Sequence, residues 1–164
     1  MTTPELDRNY QAATTRAEFC RAAVKFIEKY YNKTYPTILT ERGLTIQQFS
    51  DTSDPIIGAA AALGITQGTG DNKFSPNLDL TREQAATMLN RVLIMLNMEK
   101  NYPDVSWTDL NAISDWAKQS INNIYALGVM NGTSATSLIF SPKSPYTHEQ
   151  SIATLLRLWK AINS

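Results

Sequence analysis

Three short stretches of the 164-residue chain carry one chemistry: Thr15-Arg16-Ala17-Glu18, Thr81-Arg82-Glu83-Gln84 and Thr147-His148-Glu149-Gln150. Each is a capping box, in which a threonine oxygen accepts from a backbone N–H of a starting helix and a Glu or Gln three residues on reaches back. The residue after the threonine is then the first of the helix, and it is Arg16, Arg82 or His148. A cation there opposes the helix dipole by about 0.3–1 kcal/mol. Its presence implies a return: unpaired N–H groups, positive potential and a guanidinium together make a receptor for a carboxylate or phosphate. Arg16 and Arg82 are the leading contacts. His148 holds the same place in the third box, but an imidazole is a cation only when protonated.

The elements that position these residues repeat. The stretch "LGITQGTGDNKFSPNLDLTREQAATML" from Leu63 returns as "LGVMNGTSATSLIFSPKSPYTHEQSIATLL" from Leu127, with two extra residues between Gly132 and Phe140. Both contain Leu-Gly, a second glycine four places later (Gly68, Gly132), Phe-Ser-Pro and then the box. The box threonines are spaced by 66 residues, although the segments between them differ in length and compensate. Apolar positions counted from each threonine fall on one helical face: Phe19, Ala23, Phe26, Tyr30; Ala85, Leu89, Val92, Leu96; Ser151, Leu155, Leu158, Ile162. Three long amphipathic helices packed together are expected, each N-terminus at the surface. Shorter helices lie between them. One runs from Asp54-Pro55 to its stop at Gly64, another from Ser114 to Gly128 with Trp116, Ile121, Ile124 and Tyr125 as its stripe. Trp107, just ahead of the latter, is a candidate groove residue.

Composition removes several functions. Fifteen basic and fifteen acidic side chains cancel without a run of either sign, so no broad nucleic-acid footprint exists. No apolar run approaches a bilayer span, and residues 1–13 lack the basic start and apolar stretch of a signal peptide, so no membrane insertion is expected and any export signal lies outside these residues. Cys20 is the only cysteine, aligned with Ala86 and Ile152, and reads as a buried small hydrophobe. With one histidine and one cysteine in different helices, and no marked carboxylate pair, catalytic residues are not expected. The "TGDNKFSPNLDLTRE" loop fails the calcium-hand spacing, so neither metal nor cofactor is expected.

The order of acidic-aromatic entry, short helix ending in Gly-Ile or Gly-Val, glycine loop, Phe-Ser-Pro and Thr-Arg-x-Glu resembles the S-layer homology repeat. From Thr15 onward that resemblance implies an all-α, pseudo-threefold bundle forming one domain over 1–164, with a partial first repeat at 1–48, a second at 49–97 and a third at 98–164. It further implies a non-catalytic module outside a Gram-positive-type cell, which holds a surface protein on the wall by binding pyruvylated secondary cell-wall polymer. On this reading Arg16, Arg82 and His148 face ketal carboxylates, while Gly68 and Gly132 let backbone amides approach the sugar. The 14 residues before Thr15 leave no room for a short helix or Phe-Ser-Pro. An apolar strip beside the Thr15 helix is therefore expected, open to a second copy or a preceding domain. A structural or oligomerisation module with no glycan of its own is the alternative reading.

Overall fold

Each box threonine caps a helix: the Thr15, Thr81 and Thr147 hydroxyls accept from the backbone N–H of Glu18, Gln84 and Gln150. The computed structural model describes residues 2–164. Among them lie six α-helices and two 3-10 turns, with isolated bridges but no strand. The helices are α1 (Arg16–Tyr31), α2 (Tyr35–Glu41), α3 (Pro55–Ala62), α4 (Arg82–Met95), α5 (Lys118–Ala126) and α6 (His148–Ile162). Long helices α1, α4 and α6 carry the three boxes. The predicted stripes bury Phe19, Ala23, Phe26, Ala85, Leu89, Val92, Leu96, Ser151, Leu155 and Leu158.

Two connecting elements depart from expectation. α2 has no forerunner in the reading above, although Thr34 ahead of Tyr35-Pro36, and Gly43 at φ +66° beyond its end, are its start and stop. α5 begins at Lys118 and not at Ser114, because Asp115–Ala117 winds as a 3-10 turn. That tighter winding shifts the phase of the stripe. Ile121 and Ile124 are buried, whereas Trp116 is turned outward and 58% exposed.

A ring of backbone hydrogen bonds joins the three long helices at their N-terminal ends. Thr14 N donates to Tyr146 O at 2.7 Å, Tyr146 N to Leu80 O at 2.9 Å and Leu80 N to Thr14 O at 2.9 Å. Positions 14, 80 and 146 are thus equivalent about a pseudo-threefold axis. The first helical N–H groups are filled by the same rule: Arg16 and Ala17 donate to Leu78 and Pro76, Arg82 and Glu83 to Ser144 and Pro142, His148 and Glu149 to Ala12 and Tyr10. Residues 8–14 therefore close the ring without a Phe-Ser-Pro of their own.

The expected strip beside α1 is not there. Leu6, Ile38 and Leu39 are buried, and α2 and α3 both pack on α1. The incomplete wall is one helix further round. α3 covers α1 and α5 covers α4, but no short helix among the described residues covers α6 in that way, and its Leu156 is 45% exposed.

Candidate functional site: two grooves between the long helices

Arg82 does not present an open helix end to solvent, since its own N–H and that of Glu83 are already bonded to the following repeat's loop. Its side chain turns into that loop instead. Nε donates to Phe140 O at 2.9 Å, Nη2 to Asn131 O at 2.7 Å and Nη1 to Gln150 Oε1 at 3.1 Å, with the guanidinium 4.9 Å above the Phe140 ring. Arg16 repeats the pattern: Nε to Phe74 O at 2.9 Å, Nη2 to Gln67 O at 2.8 Å, and 4.7 Å above the Phe74 ring. Each arginine thus pins the glycine loop and its Phe-Ser-Pro to the preceding long helix. Gln150 is drawn away from its own box by this contact, so the third box is only half formed, whereas Glu18 and Gln84 close theirs.

The loops are shaped by contacts that hold in both copies. Asp51 accepts from Phe74 N and Ser75 N at 2.8 Å each, and Asp109 from Phe140 N at 2.9 Å and Ser141 N at 2.8 Å. These carboxylates hold Ser75 and Ser141 at φ +58° and +57°, a left-handed conformation that serine rarely adopts unaided. Gly68 and Gly132 are required by packing: a Cβ would stand 2.7 Å from Lys73 O or from Ile139 O. Trp107 is buried and lies beneath the second loop, edge-on to Phe140 and Tyr125, so it supports a groove wall from behind.

Two grooves result. The first, of about 420 Å³, lies between α1 and α4 and is lined by Arg16, residues 66–69, Gln84, Thr87, Met88, Arg91 and Trp116. The second, of about 540 Å³, lies between α4 and α6 and is lined by Arg82, residues 130–133, Glu149, Gln150, Ala153, Thr154 and Arg157. Arg91 and Arg157 were missed by the sequence reading. Both stand ten residues after a box threonine, a repeat signal that was present to be found. Among the described residues none of Arg16, Arg82, Arg91 and Arg157 forms an ion pair. Burial lowers the pKa of Arg16, Arg82 and Arg91, and the Arg91 cation lowers that of Arg16 further. In the first groove, desolvated and mutually repelling cations with no carboxylate in the lining favour an anion between them.

The third interface, between α6 and α1, shows no such groove among the described residues. His148 is buried, its Nδ1 2.9 Å from Arg8 O and its Nε2 3.3 Å from Glu18 Oε2. Arg8 O does for it what Phe74 O and Phe140 O do for the arginines. No glycine loop stands beside it; the N-terminal turn lies there, with Leu6 buried and Lys25 Nζ donating to Thr2 O at 3.0 Å.

The sequence has relatives among known proteins. The chain is 31% identical over 165 residues, 96% of its length, to an exoglucanase XynX of Acetivibrio thermocellus, of which it covers 14%. It is 38% identical over 109 residues, 63% of its length, to an endoglucanase of Bacillus sp. (strain KSM-635), covering 11% of that protein. With a cell surface protein of Thermoanaerobacter kivui it shares 34% identity over 119 residues, 66% of this chain and 15% of that one. It thus spans a small fraction of each relative. The family model described as the S-layer homology domain matches residues 48–86 and 108–150, each match running from the entry aspartate, Asp51 or Asp109, through a glycine loop into a capped helix. On that match the chain belongs to the S-layer homology domain family, the non-catalytic modules that act at the bacterial cell surface to anchor proteins to the cell wall.

Proposed function

We propose that the two grooves bind the pyruvylated secondary cell-wall polymer, each accepting a ketal carboxylate between its pair of arginines: Arg16 with Arg91, and Arg82 with Arg157. The observation that carries this reading is that each groove sets two arginines, none of them in an ion pair among the described residues, beside a glycine loop. Charge-assisted, fork-shaped hydrogen bonding suits arginine to a carboxylate. Gly68 and Gly132 contribute by letting the loop sit close to its own base, and Trp107 by supporting it. His148 serves to close the ring at the third interface and takes no ligand. The three-part division at 1–48, 49–97 and 98–164 is proposed with it, the first part lending α1 and its arginine to the first groove. The relatives' names, two glucanases and a cell surface protein, support a role as the wall anchor of a larger surface protein.

Sedimentation of the chain with purified walls, intact and after acid extraction of the secondary polymer, tests the reading. Binding to intact walls that vanishes on extraction is the expected result. Equal binding to extracted walls would assign the module to peptidoglycan instead.

A further inference from the structure

The two grooves are built on one plan but are not chemically alike. In the first, the Arg16 fork is held through Nε and Nη2 alone, and Nη1 meets no acceptor among the described residues because Gln84 stays in its own box. In the second, Gln150 leaves its box and occupies Arg82 Nη1. Carboxylates differ as well. Glu83, the α4 residue next to the box arginine, is buried and bound to Lys143 and to the Ser114 N–H and hydroxyl, away from the first groove. Its α6 counterpart, Glu149, is exposed, in no ion pair among the described residues and part of the second groove's lining. The first groove therefore carries two cations and no acid, the second two cations and one acid.

An apolar platform adds to the difference. Trp116, brought outward by the 3-10 turn, lines the first groove, and no aromatic side chain lines the second. An exposed indole face beside a hydrogen-bonding cation is suited to the apolar C–H face of a pyranose whose substituents reach the arginine.

Resting on the carbohydrate reading above, we infer that the grooves are unequal: the Arg16–Arg91–Trp116 groove is the high-affinity subsite, taking an anionic pyranose stacked on Trp116, and the Arg82–Arg157 groove is a weaker subsite held back by Glu149 and Gln150. The chain then grips the polymer at one tight point and one loose point. A saccharide concentration that fills the first leaves the second largely open.

The test is calorimetric titration of the 164-residue chain with a methyl hexopyranoside bearing a 4,6-pyruvate ketal, alongside tryptophan emission, with the unketalised glycoside as control. Two classes of site differing by about tenfold or more in Kd are expected, only the tight class shifting the emission. Trp116→Ala, at an exposed position, should weaken the tight class about tenfold and leave the weak class unchanged. Glu149→Gln should tighten the weak class about three- to tenfold. Two equal sites insensitive to Trp116→Ala would overturn the inequality while leaving the carbohydrate reading intact. So would loss of the tight class on Arg157→Ala. No binding of the ketal by the unaltered chain would overturn the carbohydrate reading itself, and this inference with it.

Discussion

Arg82→Ala separates what the helix dipole alone would dictate from what the folded contacts dictate. By the dipole argument, removal of a cation from the first turn of α4 leaves stability unchanged or raises it by about 0.3–1 kcal/mol. The structure reverses that sign. Phe140 O loses its donor in buried surroundings, about 1–3 kcal/mol, whereas water in the groove can replace the donor to the exposed Asn131 carbonyl. Loss of the guanidinium over the Phe140 ring adds about 0.5–2 kcal/mol. After the dipole relief is set against these, a net destabilisation of about 0.5–4.7 kcal/mol remains, a fall in Tm of roughly 1–19 °C for a domain of this size. Differential scanning calorimetry reads it directly. The matched control is Arg91→Ala, which removes a cation that donates to no described protein acceptor. Its stability should stay within about 0.5 kcal/mol of the parent, while affinity for the ketal drops by about 1.5–3 kcal/mol, the scale of a charge-assisted hydrogen bond. An Arg82→Ala protein as stable as the parent would refute the pinning role. So would equal destabilisation by both variants.

Gly68→Ala and Gly132→Ala place a Cβ 2.7 Å from a backbone carbonyl, so each should lower stability by about 1–3 kcal/mol in urea titrations and loosen only its own groove. The Asp51 pKa is held below the ordinary 3.8, chiefly by the Phe74 N–H. Its share of stability is therefore complete above pH 3.8 and is lost as pH falls through the lower folded value; melting from pH 5 to 2 should show a shallower acid loss in Asp51→Asn. Burial pushes the Cys20 thiol up to about 12, so at pH 8 an aromatic disulfide reagent should react only as fast as the protein opens, and at once in denaturant.

The long helices were legible because caps and periodicity agree locally, and the structure starts them at Arg16, Arg82 and His148. What escaped was set by partners distant in the chain. The free N–H groups expected at each helix start are filled by carbonyls 59 or more residues away, which no local pattern announces. The same holds for Gln150, whose box geometry is right but whose amide answers to Arg82. Trp116 was assigned to a buried stripe because a single α-helical period was carried through residues that wind as a 3-10 turn. The strip expected on α1 was a topological error: a short helix covers the long helix of the preceding repeat, so the uncovered one is α6. Arg91 and Arg157 lie beyond the box, ten residues after its threonine, where the capping pattern says nothing and only the repeat marks them. Asp51 and Asp109 were seen only as markers of an entry, although their spacing from Phe-Ser-Pro is what lets them clamp it.

On the proposed function, paired arginines in two grooves hold a ketal carboxylate of the wall polymer. The most direct measurement is the affinity of the chain for purified secondary polymer before and after mild acid removal of the ketals, repeated with the Arg91→Ala, Arg157→Ala double variant. Tight binding of intact polymer is expected, with at least a hundredfold loss on removal of the ketals and a comparable loss in the double variant, the helical fold being retained. Undiminished binding of the stripped polymer by a folded protein, or full binding by the double variant, would contradict it.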